Sequence, residues 1–127
     1  MASKVPENLL YTKTHEWFSV DGDTVTVGIT DYAQQQLTDV VYVDLPKKGE
    51  RKRQGDVLLT VESVKSAEDV FSPVTGEIIE VNESLGKSPE LLNKDSYANW
   101  LVKMRLEKGF KPQGMSASEY RKFIGEE

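Results

Sequence analysis

The chain has 127 residues, no cysteine and a single histidine, His15, which excludes a disulfide framework, a thiolate nucleophile, iron–sulfur ligation and any Cys- or His-rich metal site. With 16 Lys+Arg against 21 Asp+Glu the formal charge is −5, the wrong sign for a nucleic-acid surface and suited to a protein that docks on other proteins. The 38% hydrophobic and 9% aromatic content is that of a folded chain, and no apolar run approaches the roughly 18–20 residues of a membrane span. Length predicts one domain over residues 1–127, and a monomer is expected. The opening residues have neither an apolar signal core nor an Arg-rich transit pattern, so the expected location is the (bacterial) cytoplasm, although a mature mitochondrial matrix protein would read the same way.

In chain order, the first predicted strands cover residues 15–20 and 24–29, joined by the turn signal Asp21-Gly22-Asp23. Thr30 caps a short helix through Asp31-Tyr-Ala-Gln-Gln-Gln-Leu37, with an acidic first residue suited to the helix dipole. Further strands are predicted over residues 40–45, 57–62, 67–71, 76–81 and 100–106, with Gly and Pro between them. Ser88-Pro89-Glu90-Leu91-Leu92 places a cap residue before Pro at a first helical position, and Ser116-Ala-Ser-Glu119 is a capping box opening a helix closed by Gly125. The reading is mainly β, a sandwich or small barrel: a β core over about residues 10–108 and a C-terminal helical appendage over about 116–125. A weak internal echo, Val43–Leu58 against Val81–Leu92, suits two interlocked half-barrels.

The segment from Asp56 to Gly76 is the most informative. Two apolar strands flank Glu62-Ser63-Val64-Lys65-Ser66, which puts Lys65 at a hairpin tip, solvated and with four rotatable side-chain bonds. A surface lysine that merely aids solubility is the ordinary account. Against it, the turn lacks the Asn-Gly or Asp-Gly chemistry of a purely structural hairpin, and Ser72-Pro73-Val74-Thr75-Gly76 completes a strand–lysine–strand–turn unit.

That unit resembles the lipoyl-attachment signature of the glycine cleavage system H proteins, and the likeness runs over nearly the whole chain. It is carried by Thr14-His-Glu-Trp17, Gly28-Ile-Thr-Asp-Tyr-Ala-Gln34, Asp44-Leu-Pro46, Val61-Glu-Ser-Val-Lys65, Ser72-Pro-Val-Thr-Gly-Glu77, Glu80-Val-Asn82 and Glu119-Tyr-Arg-Lys-Phe123. The resemblance implies a lipoyl/biotinyl-type flattened barrel (a hybrid barrel-sandwich) of two interlocked sheets with short helices and a C-terminal helix. It also implies a non-catalytic carrier with lipoic acid in amide linkage to Lys65, Glu62 and Gly76 being the positions matched to lipoylation recognition. The implied partners are glycine decarboxylase (P protein), an aminomethyltransferase (T protein), dihydrolipoamide dehydrogenase (L protein) and a lipoate ligase or lipoyl/octanoyl transferase. In the family the loaded arm folds into a surface cleft that shields its aminomethyl cargo from water; Thr14, Glu16 and Asp69 are the matching positions here.

Glu16 has two readings: a carboxylate that accepts a hydrogen bond from the cargo ammonium, or a polar strand residue facing solvent. His15 is read as a half-buried scaffold residue beside Trp17 rather than a proton relay. Trp17, Trp100 and Phe71 are read as core. Lys47, Lys48, Arg51, Lys52 and Arg53 put five basic residues in seven positions, a solvated loop or a docking patch. Glu62, Glu68 and Asp69 give the lysine tip an acidic frame. Two departures from the family stand out: Ser96-Tyr-Ala-Asn-Trp100 is one residue shorter than the usual segment, without its Pro and Gly, and Gln36 stands where some members carry a histidine. The alternatives are an H-like protein serving mainly as a lipoate relay, and a biotinyl or 2-oxo acid dehydrogenase-type carrier. Biotin carriers favour methionine on both sides of the lysine, where this chain has Val64 and Ser66. No Gly-x-Ser-x-Gly elbow or phosphate loop supports a hydrolase.

Overall fold

A computed structural model describes residues 2–126. The strands are β1 (Leu10–Tyr11), β2 (Glu16–Asp21), β3 (Thr24–Ile29), β4 (Val40–Asp44), β5 (Arg51–Lys52), β6 (Val57–Ser63), β7 (Ala67–Phe71), β8 (Gly76–Val81) and β9 (Val102–Leu106). The helices are α1 (Asp31–Leu37), α2 (Ser84–Lys87), α3 (Leu91–Lys94) and α4 (Ala117–Phe123). Every strand pairing is antiparallel: one sheet runs β1-β2-β3-β9-β8-β5, the other β4-β6-β7. The fold is thus mainly β, two sheets with short helices, as the sequence predicts.

The main core lies between the sheets and is built from Val25, Val27, Val61, Ile78, Val102 and Met104 together with Leu85 and Leu92 from the helical turns and Leu101 just ahead of β9. β-branched and unbranched apolar side chains stand on the inner faces while Asp, Glu, Lys and Thr alternate outward. Three bulges interrupt that alternation, with Val41, Leu58 and Ile79 as the extra residues. The bulge at Leu58 is why both Leu58 and Leu59 are buried; the one at Val41 leaves Val41 and Tyr42 both exposed.

Most predicted elements lie within one or two residues of the observed ones. The Asp21-Gly22-Asp23 turn closes β2 onto β3, with Gly22 at φ 63. The Thr30 hydroxyl accepts the N–H of Ala33 at 3.1 Å, the cap read from sequence. Ser116 and Glu119 form the reciprocal capping box of α4.

Other expectations need correction. The helix expected to be capped by Ser88 is two separate single turns, α2 and α3; Ser88 ends the first through its N–H to Ser84 O, and neither turn has a side-chain cap. The internal echo holds at the ends of β4 and β8 but not beyond, because Val57-Leu58 opens a strand whereas Leu91-Leu92 opens α3. Trp100 and Phe71 are half-buried rather than core, the Lys103 ammonium lying 5.0 Å from the Trp100 ring centre. Within the basic window Arg51 and Lys52 form β5 against β8, and Arg51 pairs with Glu77 and Glu107.

The C-terminal helix is more than an appendage. Tyr120 is fully buried and stacks on Tyr11 with ring centres 4.7 Å apart, in a second core with Val5, Trp17 and Ala117. That core also absorbs the shortened segment: the Trp17 indole N–H donates to Ser96 O at 3.1 Å, and the Tyr97 hydroxyl accepts the N–H of Asp31 at the start of α1.

Candidate functional site

The β6–β7 hairpin turns at Ser63–Ser66, and one hydroxyl organises the turn. Ser63 Oγ donates to Ser66 O and accepts the N–H groups of Lys65 and Ser66, at 3.1–3.2 Å, which uses the one donor and two acceptor positions a hydroxyl has. The Ser63 N–H bonds Ser66 O, and the Val64 N–H bonds Asp39 O ahead of β4. Every backbone N–H from Ser63 to Ser66 is therefore engaged, without the glycine that a tight hairpin usually needs. Lys65 projects from this fixed base: its side chain is exposed, and Nζ donates to Gln36 O in the last turn of α1 at 3.0 Å. α1 has no basic residue in its own last turn, so Lys65 supplies the cation at that end.

Beneath Lys65 lies a cleft of about 400 Å³ between α1, the His15 corner and the inner edge of β6–β7. Ile29, Leu37, Val61 and Val70 give it an apolar floor; Thr14, Glu16, Glu68 and Asp69 give it polar sides. Lys65, Thr14, Glu16 and Asp69 thus line one cavity although they come from two separate stretches of chain.

Their environments differ. Glu16 is 1% exposed, so it does not face open solvent: Oε1 accepts the hydroxyls of Thr12 and Thr14, each at 2.5 Å, and Oε2 accepts the N–H of Phe71 at 3.1 Å. These contacts tie the entry of β2 to the end of β7. Asp69 is exposed and accepts the Thr60 hydroxyl at 3.1 Å across the hairpin. Glu62 is also exposed, paired with Tyr42 and Ala67 on the neighbouring strands. Gly76 lies elsewhere, buried at the start of β8 between Lys52 and Leu106.

His15 is half-buried, as expected, but its neighbours are Tyr32, Tyr120 and Phe123, with ring centres 4.8, 5.8 and 5.9 Å away, while Trp17 packs on Tyr97. The cause is local backbone: His15 has φ 72, outside the strand alternation that would put it on the face of Trp17. Burial lowers its pKa below the ordinary value, which favours the neutral ring. Sequence reasoning placed His15 in the scaffold and missed that it walls the cleft, together with Tyr32 and Ser66. Among the described residues no group of His, Asp and Glu side chains is arranged to hold a metal ion.

A mainly β scaffold of two antiparallel sheets thus sets a lysine amine at a hairpin tip over a half-apolar cleft. The sequence profile of the family "Glycine cleavage H-protein" matches residues 9–127. A "Probable glycine cleavage system H protein" of Picrophilus torridus is 64% identical over 124 residues, covering 98% of this chain and 99% of its own length. The "Glycine cleavage system H protein" of Halothermothrix orenii is 49% identical over 124 residues, covering 96% and 97%. The crystal structure of a glycine cleavage system H protein from Mycobacterium marinum superposes with a TM-score of 0.88 at 35% identity, covering 95% of this chain and 99% of that one.

The chain belongs to the glycine cleavage H-protein family: the non-catalytic lipoyl carriers that serve the P, T and L proteins of the glycine cleavage system. The matching relatives come from archaea and bacteria, and no helix among the described residues is long and apolar enough to cross a membrane.

Proposed function

We propose that Lys65 is the attachment lysine and that the cleft beneath it receives the loaded arm. The observation that carries this reading is the position of Nζ, exposed at the tip of a hydrogen-bonded hairpin and already reaching across the cleft mouth to α1. The residues present fit a lipoyl group. Lys65 offers a primary amine for an amide bond, the floor of Ile29, Leu37, Val61 and Val70 suits a hydrocarbon chain, and the carboxylates at the rim suit a cationic cargo. When attached, the lipoyl group supplies the sulfur that takes an aminomethyl group from glycine decarboxylation and later passes electrons to a dehydrogenase.

This chain's residues bind and orient. Acylation removes the Lys65 charge, so the ammonium no longer caps the end of α1 and the arm leaves the hairpin as a neutral tether. Tethering raises the local concentration of the carried group at each partner's site. Thr14 positions Glu16 through its hydroxyl. Glu16 has three of about four acceptor positions filled, leaving capacity for one further donor. Asp69, exposed at the cleft edge, offers a second carboxylate to a cationic cargo.

Glu62 stands on the outer face beside Lys65, where an attaching enzyme (a lipoate ligase or a lipoyl/octanoyl transferase) would read it. Gly76 serves the fold, close-packed against the β9 backbone and away from Lys65. The working unit in this reading is one domain over residues 1–127, monomeric and cytoplasmic. Intact-mass measurement after incubation with lipoate ligase should show a single lipoyl adduct, absent from Lys65→Arg. An unmodified wild type, or an adduct that persists in Lys65→Arg, refutes the assignment.

A further inference from the structure

The C-terminal helix reaches the arm cleft through one side chain. Tyr120 is fully buried, and its hydroxyl lies 2.8 Å from His15 Nδ1 and 2.8 Å from Thr30 Oγ1. His15 lines the cleft, as do Tyr32, Ala33 and Leu37 of α1, the helix that Thr30 caps, and the His15 and Tyr32 rings meet at 4.8 Å. We propose that Tyr120 is a positioning residue for the loaded arm, its hydroxyl fixing the His15 ring against the start of α1 and so setting the shape of the cleft wall they form. This rests on the reading of the cleft as the arm's site.

The hydrogen bonds have one arrangement that satisfies every buried group. Thr30 Oγ1 already accepts the N–H of Ala33, so its own proton is free to go to the Tyr120 oxygen. The Tyr120 hydroxyl then donates to Nδ1 of His15. In the reverse direction the Thr30 proton, in a residue with no exposed surface, would have no acceptor. Neutral His15 therefore carries its proton on Nε2, in a fixed tautomer.

The ring is held separately, by stacking on Tyr11 and by the neighbouring Phe123. Phenylalanine would do that packing equally well, and a buried hydroxyl left unpaired is costly, so the hydroxyl is not explained by docking α4. A backbone bond from Thr30 N to His15 O, 3.0 Å, already brackets the same corner. The Tyr120 hydroxyl adds the side-chain restraint that sets where the His15 ring stands relative to α1.

The test compares Tyr120→Phe with Tyr11→Phe. The second removes the other hydroxyl of the stacked pair, which donates to Pro6 O at 2.6 Å and touches no cleft residue. Each lipoylated protein is reduced, loaded with formaldehyde and ammonium, and followed for ammonia release; a lipoyl-lysine peptide gives the unprotected rate. On the unloaded proteins, ¹⁵N shifts report the His15 tautomer and melting reports stability. In Tyr120→Phe the Nδ1 acceptor signature should be lost and ammonia released about three- to tenfold faster, the loss of one hydrogen bond. Tyr11→Phe should melt lower yet release ammonia at the wild-type rate.

Wild-type release from Tyr120→Phe, or equal acceleration in both variants, overturns the proposal. Wild-type protein that releases ammonia as fast as the peptide overturns the cleft reading itself, and the proposal with it.

Discussion

Replacing Gly76 by alanine puts a Cβ 2.1 Å from the Arg105 carbonyl oxygen, 2.9 Å from its carbon and 3.2 Å from Leu106 Cα. All three are backbone atoms of β9, the strand hydrogen-bonded to β8 at Gly76↔Leu106, so no side chain can turn aside. A carbon and a carbonyl oxygen settle at about 3.3–3.6 Å, which requires the strands to part by more than ~1 Å at this point. Parting loosens that end of the β8–β9 ladder and the short β5–β8 pairing at Lys52↔Gly76. Overpacking of this kind costs about 1–3 kcal/mol and each buried backbone group left unpaired about 1–3 more, so roughly 3 kcal/mol in all. For a chain of this size that is a fall in melting temperature of roughly 10–18 °C.

Typical stabilities of about 5–15 kcal/mol leave such a protein folded at room temperature, where lipoylation can be assayed. Gly76 follows the end of β7 at Phe71, whereas Lys65 precedes its start at Ala67, so roughly 15 Å of hairpin separates the two. Gly76→Ala should therefore melt far lower in calorimetry and, at 20 °C, accept lipoate at the wild-type rate per folded molecule. Melting within about 2 °C of wild type refutes the steric reasoning. A folded variant that is not lipoylated shows instead that the attaching enzyme reads Gly76 directly.

Glu16→Gln exchanges charge-assisted hydrogen bonds from Thr12 and Thr14 for neutral ones, or turns an amide N–H₂ against the N–H of Phe71, and should cost about 1–2 kcal/mol by thermal or urea unfolding. If Glu16 also holds the cargo ammonium, the loaded variant releases ammonia faster than wild type; lowered stability with unchanged release would make Glu16 a fold latch alone. His15 makes stability depend on pH, because burial among Tyr32, Tyr120 and Phe123 lowers its folded pKa below the ordinary value of 6.5. The unfolded chain binds the proton more readily, so the contribution is complete above about pH 6.5 and is lost as pH falls toward the lower folded value. His15→Asn, which tolerates the positive φ, should flatten the melting-temperature profile on the acid side of about pH 6.5 relative to wild type, and an unchanged slope counts against the burial argument.

The parts legible in the sequence are those with local causes. The strand–turn–strand around Lys65, the Thr30 cap and the Ser116–Glu119 box each follow from residues within a few positions of one another. Long-range packing decided the rest. Leu58 and Leu59 are both buried only because β6 bulges against β7, and nothing in Val-Leu-Leu-Thr announces an extra residue. β1 and β5 are two residues each and exist because longer strands accept them at an edge. The cleft joins residues 14–16, 29–37 and 61–70, so motif matching could name Thr14, Glu16 and Asp69 but not the wall between them. His15 belongs to that wall because of a positive φ, and a strand-like reading of Thr14-His-Glu-Trp17 hides it.

The absence of cysteine acquires a physical sense beside this geometry. The chain brings no thiol of its own, so all thiol chemistry resides on the arm, and no protein thiolate can attack the lipoyl disulfide to trap it as a mixed disulfide. The scaffold supplies position instead. Because each N–H from Ser63 to Ser66 is bonded, freedom begins at the Lys65 side chain and not in the loop beneath it. A tether with a fixed base sweeps a smaller volume than one on a mobile loop of equal reach, and a smaller volume is a higher effective concentration at each partner. The same rigidity keeps the hairpin edge of the cleft in register with α1 through Asp39 O, so in the proposed reading the surface from which the arm departs also forms one side of the place to which it returns.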